Sequence, residues 1–168
     1  MTKSGIGSIT LSALFAASFA ASVSADPTSL LITGNVDPVC EIGGLTTVSY
    51  NAGPLDQGLS LTSSPLGINV KCNYKDGAVI TLETLNGGLT SGEAVGEVVD
   101  YKATLTAGAL GAFFLNTDGL AAGGSASGLF SGPALASGLA SSLQIEILDG
   151  ATYAGDYTDT LTVTIAQQ

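Results

Sequence analysis

Few residues in this chain could carry chemistry. It contains no histidine and no arginine, so neither a Ser-His nor a Cys-His nucleophile pair can be assembled. Two cysteines, Cys40 and Cys72, could in principle hold a metal. Without histidine, two thiolates cannot complete a tetrahedral zinc shell unless carboxylates join them. The same pair in an oxidising compartment forms a disulfide, and that is the expectation taken here. Carboxylates offer the remaining possibilities. Glu93 with Glu97, and Asp156 with Asp159, are the nearest pairs for glycoside-type acid and base work. Asp149, Asp156 and Asp159 could supply oxygen ligands to calcium, but the alternation around Asp159 does not form an oxygen-ligand loop. These carboxylates sit in Gly- or Thr-rich segments that read as solvated surface. No enzyme activity, cofactor or metal is expected.

The elements that would position these groups begin with an export signal. Residues 1–25 carry one early cation, Lys3, then an apolar and small-residue run from Ile9 to Ala21. Val23-Ser24-Ala25 follows, with cleavage expected between Ala25 and Asp26. That apolar run is too short to span a bilayer. Residues 26–168 are then expected to form a single domain with its own core. In it, only Lys71, Lys75 and Lys102 stand against the 14 carboxylates. Such a surface repels phosphate backbones and anionic lipid, which argues against nucleic acid as a partner. Aromatic residues are too scarce for the girdles of an outer-membrane barrel, so the exported chain is not expected to span a membrane.

Apolar residues recur with period two. Leu30, Ile32, Gly34 and Val36 share one parity; Leu66, Ile68, Val70 and Cys72 share another. Ile80 and Leu82 lie in the run Ala78 to Leu85, and Leu143, Ile145 and Ile147 alternate with Gln144 and Glu146. Tyr157, Leu161, Val163 and Ile165 alternate with Thr158, Thr160, Thr162 and Thr164. This is the pattern of half-buried strands. Gly43-Gly44, Asn51 to Pro54, Asp76-Gly77, Asn86 to Gly88 and Asp149-Gly150 separate the runs, and Asp76-Gly77 predicts a hairpin. From Ala107 to Ser142 the chain is Gly-, Ala-, Ser- and Leu-rich, with Phe113, Phe114 and Phe130 as its aromatics. Either one or two glycine-rich strands or a long excursion fits that stretch. The expected fold is all-β: an immunoglobulin-like β-sandwich, with a small barrel as the alternative.

Two segments carry a family resemblance. Leu30-Leu31-Ile32-Thr33-Gly34-Asn35-Val36 precedes Cys40-Glu41-Ile42, and Tyr153-Ala154-Gly155-Asp156-Tyr157-Thr158-Asp159-Thr160 leads into Leu161 to Ile165. Together they resemble chaperone–usher pilins, in particular the spore coat protein U-like, or archaic, branch. The resemblance implies an incomplete sandwich, completed by a donor strand from a neighbouring subunit. Within residues 26–36, Leu30, Ile32 and Val36 would fill pockets, and Gly34 would lie where the groove is shallow. Tyr157, Leu161, Val163 and Ile165 would form the final strand at the groove's edge. Implied partners are homologous pilin subunits, a periplasmic chaperone and an outer-membrane usher. The implied location is a fimbrium at the cell surface, reached through the periplasm. From the residues alone, Leu30 to Val36 reads equally as the first strand of a complete sandwich. A secreted surface-coat or polymer-binding module is therefore the alternative function. This chain also departs from many pilins at its end, Ala166-Gln167-Gln168, where an aromatic residue is common next to last.

Overall fold

The computed structural model describes residues 29–45, 49–55, 61–94 and 96–168. The expected signal peptide, its cleavage point at Ala25–Asp26, and the first residues of the candidate donor segment lie outside the described residues. By contacts, the chain divides at Asn35 into an N-terminal unit and a β-rich unit, Val36–Gln168.

Among the described residues, the second unit contains eleven strands: β1 (Cys40–Gly43), β2 (Leu61–Thr62), β3 (Leu66–Cys72), β4 (Ala78–Thr84), β5 (Leu89–Thr90), β6 (Val98–Val99), β7 (Tyr101–Thr106), β8 (Ala112–Asn116), β9 (Ser125–Phe130), β10 (Leu139–Ile147) and β11 (Leu161–Gln167). One helix, α1 (Pro133–Ser137), and a 3-10 turn at Gly108–Leu110 complete the elements. The larger sheet runs β1-β3-β10-β7-β8, with β2 also paired to β10; the smaller runs β11-β4-β9. All strand pairings among the described residues are antiparallel. This is the expected all-β sandwich, not a barrel.

Period two explains the layers. Ile68, Val70 and Cys72 of β3 point into the same core as Ile80 and Leu82 of β4. Ala103 and Leu105 of β7, Leu115 of β8 and Ile147 of β10 complete its centre. Each fully buried Leu, Ile or Val stabilises the fold by about 1.5–3 kcal/mol relative to exposure. Cys40 stands opposite Cys72 in the β1–β3 register, and the two form the expected disulfide.

Two expectations change. Asp76-Gly77 makes a tight turn, with the Gly77 amide donating to Tyr74 O at 3.1 Å, but not a hairpin. β3 belongs to the larger sheet and β4 to the smaller, so this turn carries the chain across the sandwich. The stretch from Ala107 to Ser142 is largely ordered into β8, β9, α1 and the start of β10. Its glycines serve packing: a Cβ on Gly128 would lie 2.5 Å from the ring of Phe113. That ring packs against Phe130, with centroids 5.8 Å apart.

Candidate functional site: an apolar cleft beside the last strand

β11 is an edge strand. It pairs with β4 through seven residues, Leu161↔Thr84 to Gln167↔Ala78. Among the described residues no strand is hydrogen-bonded to its other edge, although β1 of the larger sheet packs near it. The sequence makes this edge conspicuous. Val163 and Ile165 sit in register with Leu82 and Ile80, which are fully buried, yet both remain only half-buried. The core beneath β11 is thus thinner than one strand further in.

Where that cover is missing, a cleft of about 1580 Å³ opens between the sheets. Leu161 and Val163 line one side, and Leu66, Leu143 and Ile145 the other. An unpaired backbone edge above apolar side chains is the arrangement that accepts a further strand, because hydrogen bonding and burial are both left incomplete.

The segment leading into β11 is built by a few polar contacts. Asp159 Oδ1 accepts the amides of Asn86 (2.9 Å) and Thr160 (2.7 Å). Its Oδ2 accepts the hydroxyls of Thr84 and of Tyr101, the latter at 2.7 Å. Burial, and secondarily this bond, holds the Tyr101 phenol well above the ordinary tyrosine range. Thr158 exchanges two backbone hydrogen bonds with Thr90, at 2.9 and 3.0 Å. Glu97 accepts the Tyr157 hydroxyl and the amides of Thr152 and Tyr153. The Tyr157 bond is the main reason its carboxyl is held below the usual range. Partial desolvation, then Glu97, pushes the Tyr157 phenol up to about 12. Gly155 lies against Ser91, whose Oγ would be 2.5 Å from an added Cβ.

Two of the carboxylates named in the sequence, Glu97 and Asp159, take part in the fold's own hydrogen bonding. The described residues contain no cluster of ligands for a metal ion.

At the other end, Leu30 to Val36 belongs to no strand. Leu30, Leu31, Ile32 and Val36 are each more than 80% exposed, and an added Cβ at Gly34 would meet nothing within 4 Å. Just beyond, Asn73 pins the entry to β1. Its side chain accepts the Val39 amide (2.8 Å) and donates to Asp37 O (2.7 Å).

Leu161, Val163 and Ile165 lie in β11, and of these Leu161 and Val163 line the cleft; Tyr157, grouped with them in the sequence, lies in the loop before β11 and lines the cleft from there. Sequence reasoning did not find Glu97 as a structural acceptor, nor Tyr101, Thr84 and Asn73. Each acts on residues far along the chain, so no local spacing marks it. Among the described residues no helix is long and apolar enough to cross a membrane. No protein-family model matches the chain, and no curated protein is significantly similar to it in sequence.

Proposed function

We propose that this chain is a structural subunit of a bacterial surface fibre, assembled by strand donation. In this reading the exported domain holds the Leu30–Val36 arm of a neighbouring subunit in its cleft and offers its own arm to the next. The cleft beside the edge of β11 is the observation that carries the reading. Leu30 to Val36 is as long as β11, which has 7 residues, or about 23 Å of extended chain. Its alternate side chains, Leu30, Ile32 and Val36, suit an apolar floor, and its backbone would satisfy the open edge. Before assembly, a periplasmic chaperone would cover the same edge, and an outer-membrane usher would receive the subunit. No catalysis is assigned.

The test compares the exported protein with and without Leu30–Val36. Full-length protein is expected to form SDS-resistant multimers. The truncated form is expected to be monomeric and less stable, and to be rescued by a peptide covering Ser29 to Val36. Two equally stable monomers, unmoved by the peptide, would instead mean a complete sandwich acting as a secreted binding or coat module.

A further inference from the structure

Two stretches that are not strands wall the cleft, residues 49–55 and the segment between β10 and β11. Between β10 and β11, residues 151–158 run along it as a strap. Both ends of the strap are tied by backbone. The Ala151 amide donates to Leu55 O at 2.7 Å, and Thr158 is paired with Thr90. Between those ends, among the described residues, the hydrogen bonds reaching the strap from outside all end on one carboxylate. Glu97 Oε1 accepts from the Thr152 amide, while Oε2 accepts from the Tyr153 amide (3.1 Å) and the Tyr157 hydroxyl. The Tyr157 hydroxyl also lies 3.0 Å from Tyr153 O, within the strap itself.

We propose that Glu97 is the positioning residue of the cleft: its carboxylate latches the 152–157 strap as a wall, and releasing the latch lets that wall swing clear and the occupant exchange. The occupant is the donated strand, so this inference rests on the reading given above.

Three features make the strap a hinged wall rather than a fixed one. Its two backbone ties are at its ends, its middle contains Ala154 and Gly155, and Thr152 to Asp156 are all exposed. No lysine pairs with Glu97 among the described ion pairs. Its hold is therefore three charge-assisted hydrogen bonds, each stronger than a neutral one and all lost together when a single side chain is removed. Tyr157 faces the carboxylate with its phenol, whereas Tyr153 meets it through the backbone amide. Asp156 on the strap, and Glu93 beside Gly155, are the other acidic groups nearby.

The experiment measures two things on the full exported chain. One is amide hydrogen exchange at Thr152 and Tyr153. The other is the association and dissociation of a fluorescent peptide covering Ser29 to Val36. Glu97→Ala is expected to raise strap exchange and to speed both peptide association and dissociation about tenfold or more. Glu97→Gln is expected to restore much of the wild-type behaviour. With its amide oxygen in the Oε2 position it can still accept from the Tyr153 amide and the Tyr157 hydroxyl, losing only the Thr152 amide. Tyr157→Phe should give an intermediate acceleration.

A merely structural role would lower the melting temperature without moving the peptide rates. Faster exchange with unchanged peptide kinetics would therefore overturn the latch while leaving strand acceptance intact. Unchanged exchange in Glu97→Ala would also overturn it, since the strap would not depend on Glu97. If wild-type protein takes up no peptide at all, strand acceptance itself fails and the gate falls with it. The exchange arm then still reports separately whether Glu97 holds the strap.

Discussion

Tyr101, on β7 of the larger sheet, donates its hydroxyl across the sandwich to Asp159, at the threshold of β11 in the smaller sheet. Asp159 also accepts from Thr84 and two backbone amides, so one carboxylate fixes where the last strand begins. Asp159→Ala would leave the buried Tyr101 and Thr84 hydroxyls without that acceptor. Each stranded buried donor costs about 1–3 kcal/mol, giving an expected loss of roughly 3–4 kcal/mol. Asp159→Asn keeps one acceptor oxygen and should cost less. Urea denaturation of the two variants checks the order; equal, small losses would mean the carboxylate is not the anchor.

The Cys40–Cys72 bridge joins strands that share four register pairs, at the outer edge of the larger sheet. Its sequence separation is 32, for which loop-closure entropy gives about 3–4 kcal/mol of stability. Cys40→Ser is expected to lower stability on that order and to reduce the yield of folded protein. A denaturation midpoint unchanged by dithiothreitol would show that β1 holds without it.

Gly77 turns the chain from one sheet to the other with φ of 99°, a region L side chains rarely adopt. A Cβ there would lie 2.2 Å from Phe130 O and 2.8 Å from Ser131 Cβ. Gly77→Ala should therefore cost about 2 kcal/mol or more, through backbone strain and displacement of the end of β9. A thermal melt within a degree of wild type would contradict this.

The strands that alternate cleanly were legible in the sequence because a half-buried strand must alternate. β3, β4, β10 and β11 follow the apolar residues named for them, with β3 and β4 close to the expected bounds but β10 beginning four residues earlier and β11 four residues later. β7 carries the same signal in Tyr101, Ala103 and Leu105, and belonged with them. What alternation does not encode is the sheet a strand joins, so the Asp76-Gly77 turn looked like a hairpin when it is a crossing. β8 and β9 were blurred for a different reason. Gly128 makes room for Phe113, and a glycine that acts by its missing side chain leaves no apolar mark. The Gly155, Tyr157 and Asp159 pattern stood out, but its physical meaning lies in Ser91, Glu97 and Tyr101, which only the fold brings near. Likewise, that β11 is an edge is a property of the whole topology, written in no residue of β11.

The arm offers a direct mutational test of the proposed assembly. Gly34 stands between the apolar residues Ile32 and Val36, and a bulky charge there would have to enter an apolar cleft in the next subunit. Gly34→Arg is expected to abolish multimers while leaving the melting temperature of the monomer unchanged, since nothing lies within 4 Å of that position. Multimers in wild-type amount, seen by unheated SDS gels, would remove this segment from assembly.

Acid should act on the fold through two carboxylates of opposite sign. Asp100 is raised above the usual aspartate range by desolvation, with Thr117 opposing and Asp118 and Asp149 adding to the rise. Its charged form is penalised in the fold, so this penalty is present at neutral pH. It fades as pH falls through the raised folded value and is gone below the ordinary one. Asp100→Asn keeps an acceptor for the Thr117 hydroxyl, which donates at 3.1 Å. It should stabilise the protein at about pH 7, and its advantage should vanish at about pH 3. Glu97 runs the other way. Its folded value is lowered, chiefly by Tyr157, so its contribution is complete above the ordinary glutamate range and is lost as pH falls through that lowered value. Protection of the Thr152 and Tyr153 amides should therefore drop on acidification in wild type but stay level in Glu97→Gln. If protection falls alike in both, a group other than Glu97 governs the strap in acid.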